Sequence, residues 1–176
     1  RIVTGGAGAG GAGGTQPGGG WADYCVSVTL FPDLAGDQDG SIGVVLRHLD
    51  ARNHYRVSLV RLGSSGPHVV VLWKYVAGRR IELGRTDTIT PLPESYPIKM
   101  CASGPYLAVY KSNTLVLAYA DLHDGPKAGS YLASGGAGLT CSGRTCKFDD
   151  FLIEPTPAPL AVSPSRILIP EATGAA

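Results

Sequence analysis

The sequence has few charged residues and no long apolar run. Only 16% of its 176 residues are charged, and the formal net charge is +1. The lysines and arginines are scattered, whereas a nucleic-acid-binding surface needs them clustered. No apolar run approaches the ~20 residues that a transmembrane helix requires. The composition therefore argues against a nucleic-acid partner and against a membrane span.

Cysteine is scarce, and its spacing does not suit a metal site. The four cysteines are Cys25, Cys101, Cys141 and Cys146, with no histidine pair nearby. An even count in a strand-rich chain favours two disulfides and an oxidising compartment. Alternation places Cys25 and Cys101 away from the core, so we expect the pairs Cys25–Cys101 and Cys141–Cys146. The alternative is four reduced cysteines that act as small apolar residues.

Both ends of the chain have a biased composition. Residues 1–20 hold ten of the 25 glycines, and residues 155–176 hold five of the 13 prolines. Because such segments bury too little apolar surface to offset their chain entropy, we predict a Gly-rich flexible linker over 1–20. The glycine run could instead be an ordered strand or a polyglycine-type helix packed on a neighbour. We predict a compact domain over 21–154, then a Pro-rich linker and the start of a following β segment over 155–176. Since the chain starts at Arg1, we expect a piece of a larger protein.

The compact part consists of short alternating runs separated by turns. No window shows the 3.6-residue period of a helix. Tight connections such as Ala77-Gly78 and Gly104-Pro105 indicate antiparallel pairing. The predicted strands are 24–30, 42–48, 55–59, 69–76, 80–85, 98–103, 106–111, 115–120, 129–134 and 147–154. One open sheet of this size could not cover both its faces. The sequence therefore predicts an all-β, two-sheet antiparallel jelly-roll sandwich.

The order of several short motifs resembles a known superfamily. These motifs are Asp23 with Tyr24, residues 43–47, residues 50–56, residues 135–138 and residues 148–150. Their order is similar to that in the concanavalin A-like lectin/glucanase superfamily, in its laminin-G-like branch, and the resemblance covers about residues 21–154. It implies a jelly-roll domain of the kind found beside bacterial glycosidases and in surface proteins, without fixing a function. The insertion between Cys141 and Cys146 departs from the pattern.

The resemblance also implies which residues an enzyme of this superfamily would need. Its catalytic members place two carboxylates on one strand, about 5 Å apart, to cleave β-glucans. Asp149 and Asp150 are adjacent, so on a regular strand they face opposite sides. No histidine accompanies a nucleophile motif. The glutamates are isolated from one another: Glu82, Glu94, Glu154 and Glu171. We therefore expect no enzymatic activity.

Alternation along the strands predicts a face suited to sugars. Saccharide binding needs aromatic rings to stack on and planar polar groups to pair with hydroxyls. The candidate ligand-binding residues lie opposite the apolar sides of their strands: Arg47, Arg56, Ser58, Trp73 and Tyr75. In the alternative register Trp73 is a core residue, and Arg47 could simply form a surface ion pair with Asp50.

Two acidic positions offer oxygen ligands of the kind that calcium prefers. Asp33, Asp37 and Asp39 precede Gly40 in one loop, and Asp149 lies near the end of the domain. Acidic loops with glycine are also common as plain turns, so the sequence leaves open whether a structural calcium is bound. We expect no other cofactor.

These observations lead to an expected function. The chain is predicted to be an extracellular or cell-surface, non-catalytic carbohydrate-binding or adhesion module of a larger surface or secreted protein, with a glycan as its partner. The alternative is a structural subunit of a filament or surface layer. Its terminal arms would then pair with neighbouring protein subunits by strand addition.

Overall fold

The structure, a computed structural model, describes residues 2–3, 20–32, 40–61, 66–89, 94–122, 131–142 and 146–156. Within these residues every regular element is a β-strand. The strands are β1 (Ile2–Val3), β2 (Tyr24–Phe31), β3 (Ser41–Asp50), β4 (Asn53–Arg61), β5 (His68–Val76), β6 (Arg79–Arg85), β7 (Tyr96–Ser103), β8 (Tyr106–Lys111), β9 (Thr114–Ala120), β10 (Gly136–Ser142) and β11 (Lys147–Pro155). No membrane-spanning helix is therefore found among the described residues.

The strands form two antiparallel sheets. The six-stranded sheet has the order β1-β10-β3-β4-β5-β6, and the five-stranded sheet has the order β11-β2-β7-β8-β9. Tight turns join neighbouring strands, and at the β5–β6 turn Ala77 and Gly78 both have positive φ angles, as a two-residue hairpin loop requires. The predicted fold class, a two-sheet antiparallel jelly-roll sandwich, is confirmed.

The core lies between the sheets and follows the predicted alternation. Val26, Val28 and Leu30 of β2 face apolar residues of the opposite sheet, including Val57 and Leu72. Burying each such side chain stabilises the fold by about 1.5–3 kcal/mol. Because side chains alternate along each strand, burial of this set directs the intervening residues to the outer faces.

Both predicted disulfides are present. Cys25 and Cys101 are direct cross-strand neighbours on β2 and β7. Their side chains lie on the outer face of the five-stranded sheet, as alternation predicted, although both are buried there. Cys141 of β10 pairs with Cys146, which precedes β11. The second bridge thus closes the connection between the two sheets.

Of the strand predicted over 129–134, residues 129 and 130 lie outside the described residues. The described part differs from the prediction: residues 131–134 lie outside the strands, and β10 begins at Gly136. The reason is that Leu132 forms tertiary hydrogen bonds instead of ladder bonds: its N–H donates to Tyr55 and its carbonyl accepts from Arg47. A second difference is that Ile2 and Val3, within the predicted linker, pair with β10. The rest of that predicted linker up to residue 19, and residues 157–176 of the predicted tail, lie outside the described residues.

Candidate functional site

The candidate site lies on the outer face of the six-stranded sheet. Strands β3, β4 and β5 are consecutive neighbours in this sheet. Arg56 of β4 lies opposite Trp73 of β5. Leu72, beside Trp73, is fully buried in the core. The predicted register is therefore confirmed, and the alternative in which Trp73 is a core residue is wrong.

Arg56 occupies the middle of this face. Its Nε donates to Ser58 Oγ at 2.6 Å, and its Nη2 donates to Ser41 Oγ on β3. A further hydrogen bond links it to the hydroxyl of Tyr75. Burial lowers the pKa of the Arg56 guanidinium; its contact with Tyr75 opposes this shift, and nearby Arg80 adds to it. Three hydroxyl groups thus hold this cation in one position.

Two stacked pairs flank Arg56 on the same face. The Arg80 guanidinium of β6 lies 4.7 Å from the centre of the Trp73 ring, within the range of a cation–π contact. The Tyr75 ring stacks on His54 at 4.4 Å with an interplanar angle of 16°. Burial lowers the pKa of His54 to about 4. At neutral pH His54 is therefore an uncharged platform for Tyr75.

Arg47 does not belong to this face, contrary to the sequence expectation. Its φ of 48° breaks the alternation of β3, and only 1% of its surface is exposed. The guanidinium donates to the backbone carbonyls of Ala22, Gly104 and Leu132 at 2.7–3.0 Å. Its ion pair is with Asp23, at 3.3 Å. Arg47 is therefore a structural tie at one end of the sandwich.

Ser58 lies on the predicted face but is fully buried. It accepts the Arg56 hydrogen bond, so its place is beneath the guanidinium and not in contact with solvent. We define the arginine–tryptophan patch as four residues of this outer face that are accessible to solvent: Arg56, Trp73, Tyr75 and Arg80. Sequence reasoning missed Arg80 and the supporting His54. The pairing of β5 with β6 across the turn at Ala77 and Gly78 would have placed Arg80 opposite Tyr75.

The two candidate calcium positions have different outcomes. Asp33, Asp37 and Asp39 lie outside the described residues. Asp149 is described, and its Oδ1 accepts the N–H of Asp150 at 2.8 Å, at the irregularity within β11. The described part of the chain contains no group of three or more acidic, histidine or cysteine side chains that could hold a metal ion.

Comparison with known proteins identifies the fold. No family model and no curated protein matches the chain. Among solved structures, it is similar to the carbohydrate-binding module CBM66 from Bacillus subtilis, with a TM-score of 0.59, 18% identity and 76% of each chain covered. It is also similar to the enzymatically active domain of tailspike protein 2 from bacteriophage CBA120, with a TM-score of 0.55 and 14% identity. That match covers 80% of this chain and 23% of the tailspike chain.

A third match is a functionally unknown protein from Saccharomyces cerevisiae, with a TM-score of 0.51 and 9% identity. It covers 76% of this chain and 70% of the yeast chain. At identities this low the likeness concerns architecture, since one fold serves many functions. The chain therefore has the two-sheet jelly-roll sandwich fold that these three structures share.

Proposed function

We propose that this chain is an extracellular, non-catalytic carbohydrate-binding module that holds a glycan on the arginine–tryptophan patch. The observation that carries the proposal is the outward-facing pair of rings, Trp73 and Tyr75, beside a fixed guanidinium at Arg56. Aromatic faces stack on the C–H faces of sugars, and a guanidinium pairs with hydroxyl oxygens in a defined plane. We place the module in the laminin-G-like branch of the concanavalin A-like superfamily.

Three further observations support this proposal. The fold is shared with a protein that is named a carbohydrate-binding module. Among the described residues, the carboxylate that lies opposite Trp73 is that of Glu82. Both of its oxygens accept hydrogen bonds from Arg85 at 2.6 Å. A glycosidase needs a pair of carboxylates across the scissile bond, and the described patch does not offer that pair. The two disulfides suit an oxidising, extracellular location.

Replacing Trp73 tests the proposal. Trp73→Ala should abolish binding to the glycans that the wild-type chain recognises on a broad panel, because the stacking platform is lost. It should cost only about 1 kcal/mol of unfolding free energy, since the ring lies outside the core. Binding is measured by isothermal titration and stability by urea unfolding. Incubation of the same glycans with the wild-type chain should release no reducing ends, as expected of a non-catalytic module.

The matched control is the other tryptophan of the chain. Trp21 stacks edge-on against Tyr24 at 5.5 Å, away from the patch. Trp21→Phe should keep full binding, and it leaves Trp73 as the sole tryptophan, so that bound glycan should shift the emission. A folded Trp73→Ala variant that binds as the wild type does would contradict the proposed site.

A structural subunit is the second candidate, favoured by one observation. Strand β11 is at the edge of the five-stranded sheet, and its Phe151 and Leu152 are exposed. An edge strand with exposed apolar side chains can pair with another chain. Sedimentation of the purified chain separates the two: this candidate requires assemblies that grow with concentration, whereas a binding module needs none.

A further inference from the structure

The arginine–tryptophan patch has two cations, and among the described residues neither has a carboxylate partner. Arg56 and Arg80 lie on β4 and β6, on the two sides of β5, opposite Trp73 and Tyr75 respectively. The partners that fix Arg56 are neutral hydroxyls, those of Ser41, Ser58 and Tyr75. Arg80 contacts the face of the Trp73 ring. Neither contact neutralises a positive charge.

The ion pairs of the described residues leave this charge uncompensated. They join Arg47 to Asp23, Lys74 to Asp121, Arg85 to Glu82 and Lys99 to Glu154. Within that part of the chain none includes Arg56 or Arg80. Glu82 is the carboxylate nearest to Trp73 in register, and Arg85 already neutralises it through two hydrogen bonds. Counted over the described residues, the patch therefore carries a net positive charge next to its aromatic rings.

This arrangement has an electrostatic cost that a ligand can offset. Taking a cation out of water without a counter-ion is unfavourable, and two like charges nearby add to the cost. The lowered pKa of Arg56 has both causes, burial and proximity to Arg80. A guanidinium binds a carboxylate through parallel, charge-assisted hydrogen bonds, which are about twice as strong as neutral ones. An anionic ligand would therefore gain more here than a neutral one.

Building on the proposed function, we propose that the patch selects acidic saccharides. A sugar ring packs beside Trp73 and Tyr75, and the carboxylate of a uronic acid pairs with Arg56 and Arg80. Arg56 is held by its hydroxyl partners and is preorganised for this contact. Arg80 is exposed, so its guanidinium is free to move from the Trp73 ring to the ligand. The substrate class is thus polysaccharides that contain uronic acids.

The experiment compares acidic polysaccharides with neutral forms of the same chains. Polygalacturonate, alginate and hyaluronan are each titrated beside their carboxyl-reduced counterparts, with the full chain at low and high salt. We expect at least one acidic polymer to bind about tenfold more tightly than its reduced form. This preference should shrink as salt is raised, because the charges are near the surface.

Arg80→Gln and its neighbour Arg79→Gln form a matched pair. Both residues are exposed on β6, and both changes remove one positive charge. Only Arg80 stacks on Trp73. Arg80→Gln should weaken binding of the acidic polymer about tenfold and that of the reduced polymer much less, because the reduced polymer has no carboxylate for Arg80 to pair with. Arg79→Gln should stay within about twofold of the wild type, and Arg80→Lys should recover part of the loss.

Three results would overturn the inference. Equal affinity for acidic and reduced polymers would show that the carboxylate is not recognised, while the proposed glycan-binding function would stand. Equal losses in Arg79→Gln and Arg80→Gln would show non-specific attraction to a basic surface. A folded chain that binds no polymer of either kind, and no glycan on the panel, would remove the proposed function and this inference together.

Discussion

At the scale of single residues, Arg47 shows how a buried cation is held by backbone carbonyls. It is fully buried, yet its guanidinium donates to three backbone carbonyls and pairs with Asp23. Its own N–H donates to the Tyr24 hydroxyl at 2.7 Å. The neighbouring backbone is tight, since a Cβ at Gly135 would lie 2.4 Å from the Arg47 carbonyl carbon. Alternation along β3 could not predict the buried position of the Arg47 side chain, because the left-handed backbone conformation at Arg47 depends on partners distant in sequence.

Replacing Arg47 should therefore destabilise the fold strongly. Arg47→Met removes the donors from the carbonyls of Ala22, Gly104 and Leu132, and it should cost roughly 3–5 kcal/mol of unfolding free energy. Urea unfolding measures this cost. Arg52 is the control, because its Nη2 also donates to a backbone carbonyl, that of Ala77, but in an exposed turn. Arg52→Met should change stability by about 0.5 kcal/mol or less. Similar losses in the two variants would show that Arg47 does not hold this end of the sandwich together.

At the scale of strands, the sequence predicted what alternation controls and failed where tertiary partners decide. The registers of β4 and β5 followed from Val57 and Leu72 facing inward, which placed Arg56 and Trp73 outward. The same reasoning placed Ser58 outward but could not show that the Arg56 side chain covers it. In the strand predicted over 129–134, the described residues 131–134 are not in a strand, because Leu132 is held by two side chains and not by a neighbouring strand.

The two disulfides join cysteines at very different separations in sequence, so their removal should lower the unfolding free energy by unequal amounts. Cys25–Cys101 closes a loop of 76 residues, and Cys141–Cys146 closes one of five. In the loop-entropy model the first stabilises by about 4 kcal/mol and the second by about 2 kcal/mol. The variants Cys25→Ser/Cys101→Ser and Cys141→Ser/Cys146→Ser, compared by urea unfolding, measure the difference. A larger loss from the short loop would contradict this ranking.

At the scale of the whole molecule, a buried polar network joins the two sheets at one end. Asp121 follows β9 of the five-stranded sheet, and Lys74 and Tyr55 are neighbours on the six-stranded sheet. Lys74 Nζ lies 2.7 Å and 3.0 Å from the Asp121 oxygens, and the Tyr55 hydroxyl donates to the same carboxylate. Tyr55 also accepts from the N–H of Leu132, whose carbonyl Arg47 binds. The network is therefore continuous with the Arg47 tie.

The composition of the core gave no sign of this network, because its members are ordinary residue types far apart in sequence. Lys74 lies on the inward side of β5 between apolar neighbours, a place where alternation predicts a hydrophobic residue. Charges are seldom fully buried unless they are paired. A lysine at an inward position is thus a signal for a buried acidic partner, but the sequence does not identify which one. Asp121 comes close to Lys74 only when the two sheets pack against each other.

Breaking this pair should cost much more than replacing it entirely. Asp121→Asn leaves the Lys74 ammonium buried without its carboxylate and should lower the unfolding free energy by about 3–5 kcal/mol. The double variant Lys74→Met/Asp121→Asn removes the buried positive charge as well. It should recover about 2 kcal/mol of that loss, because the core accommodates an apolar side chain better than an unpaired ammonium group. Both values come from urea unfolding. The exposed pair Glu82–Arg85 is the control, and Glu82→Gln should cost at most about 0.5 kcal/mol. If the double variant is no more stable than Asp121→Asn, the ion pair does not couple the two sheets, and the loss lies in the hydrogen bond to Tyr55.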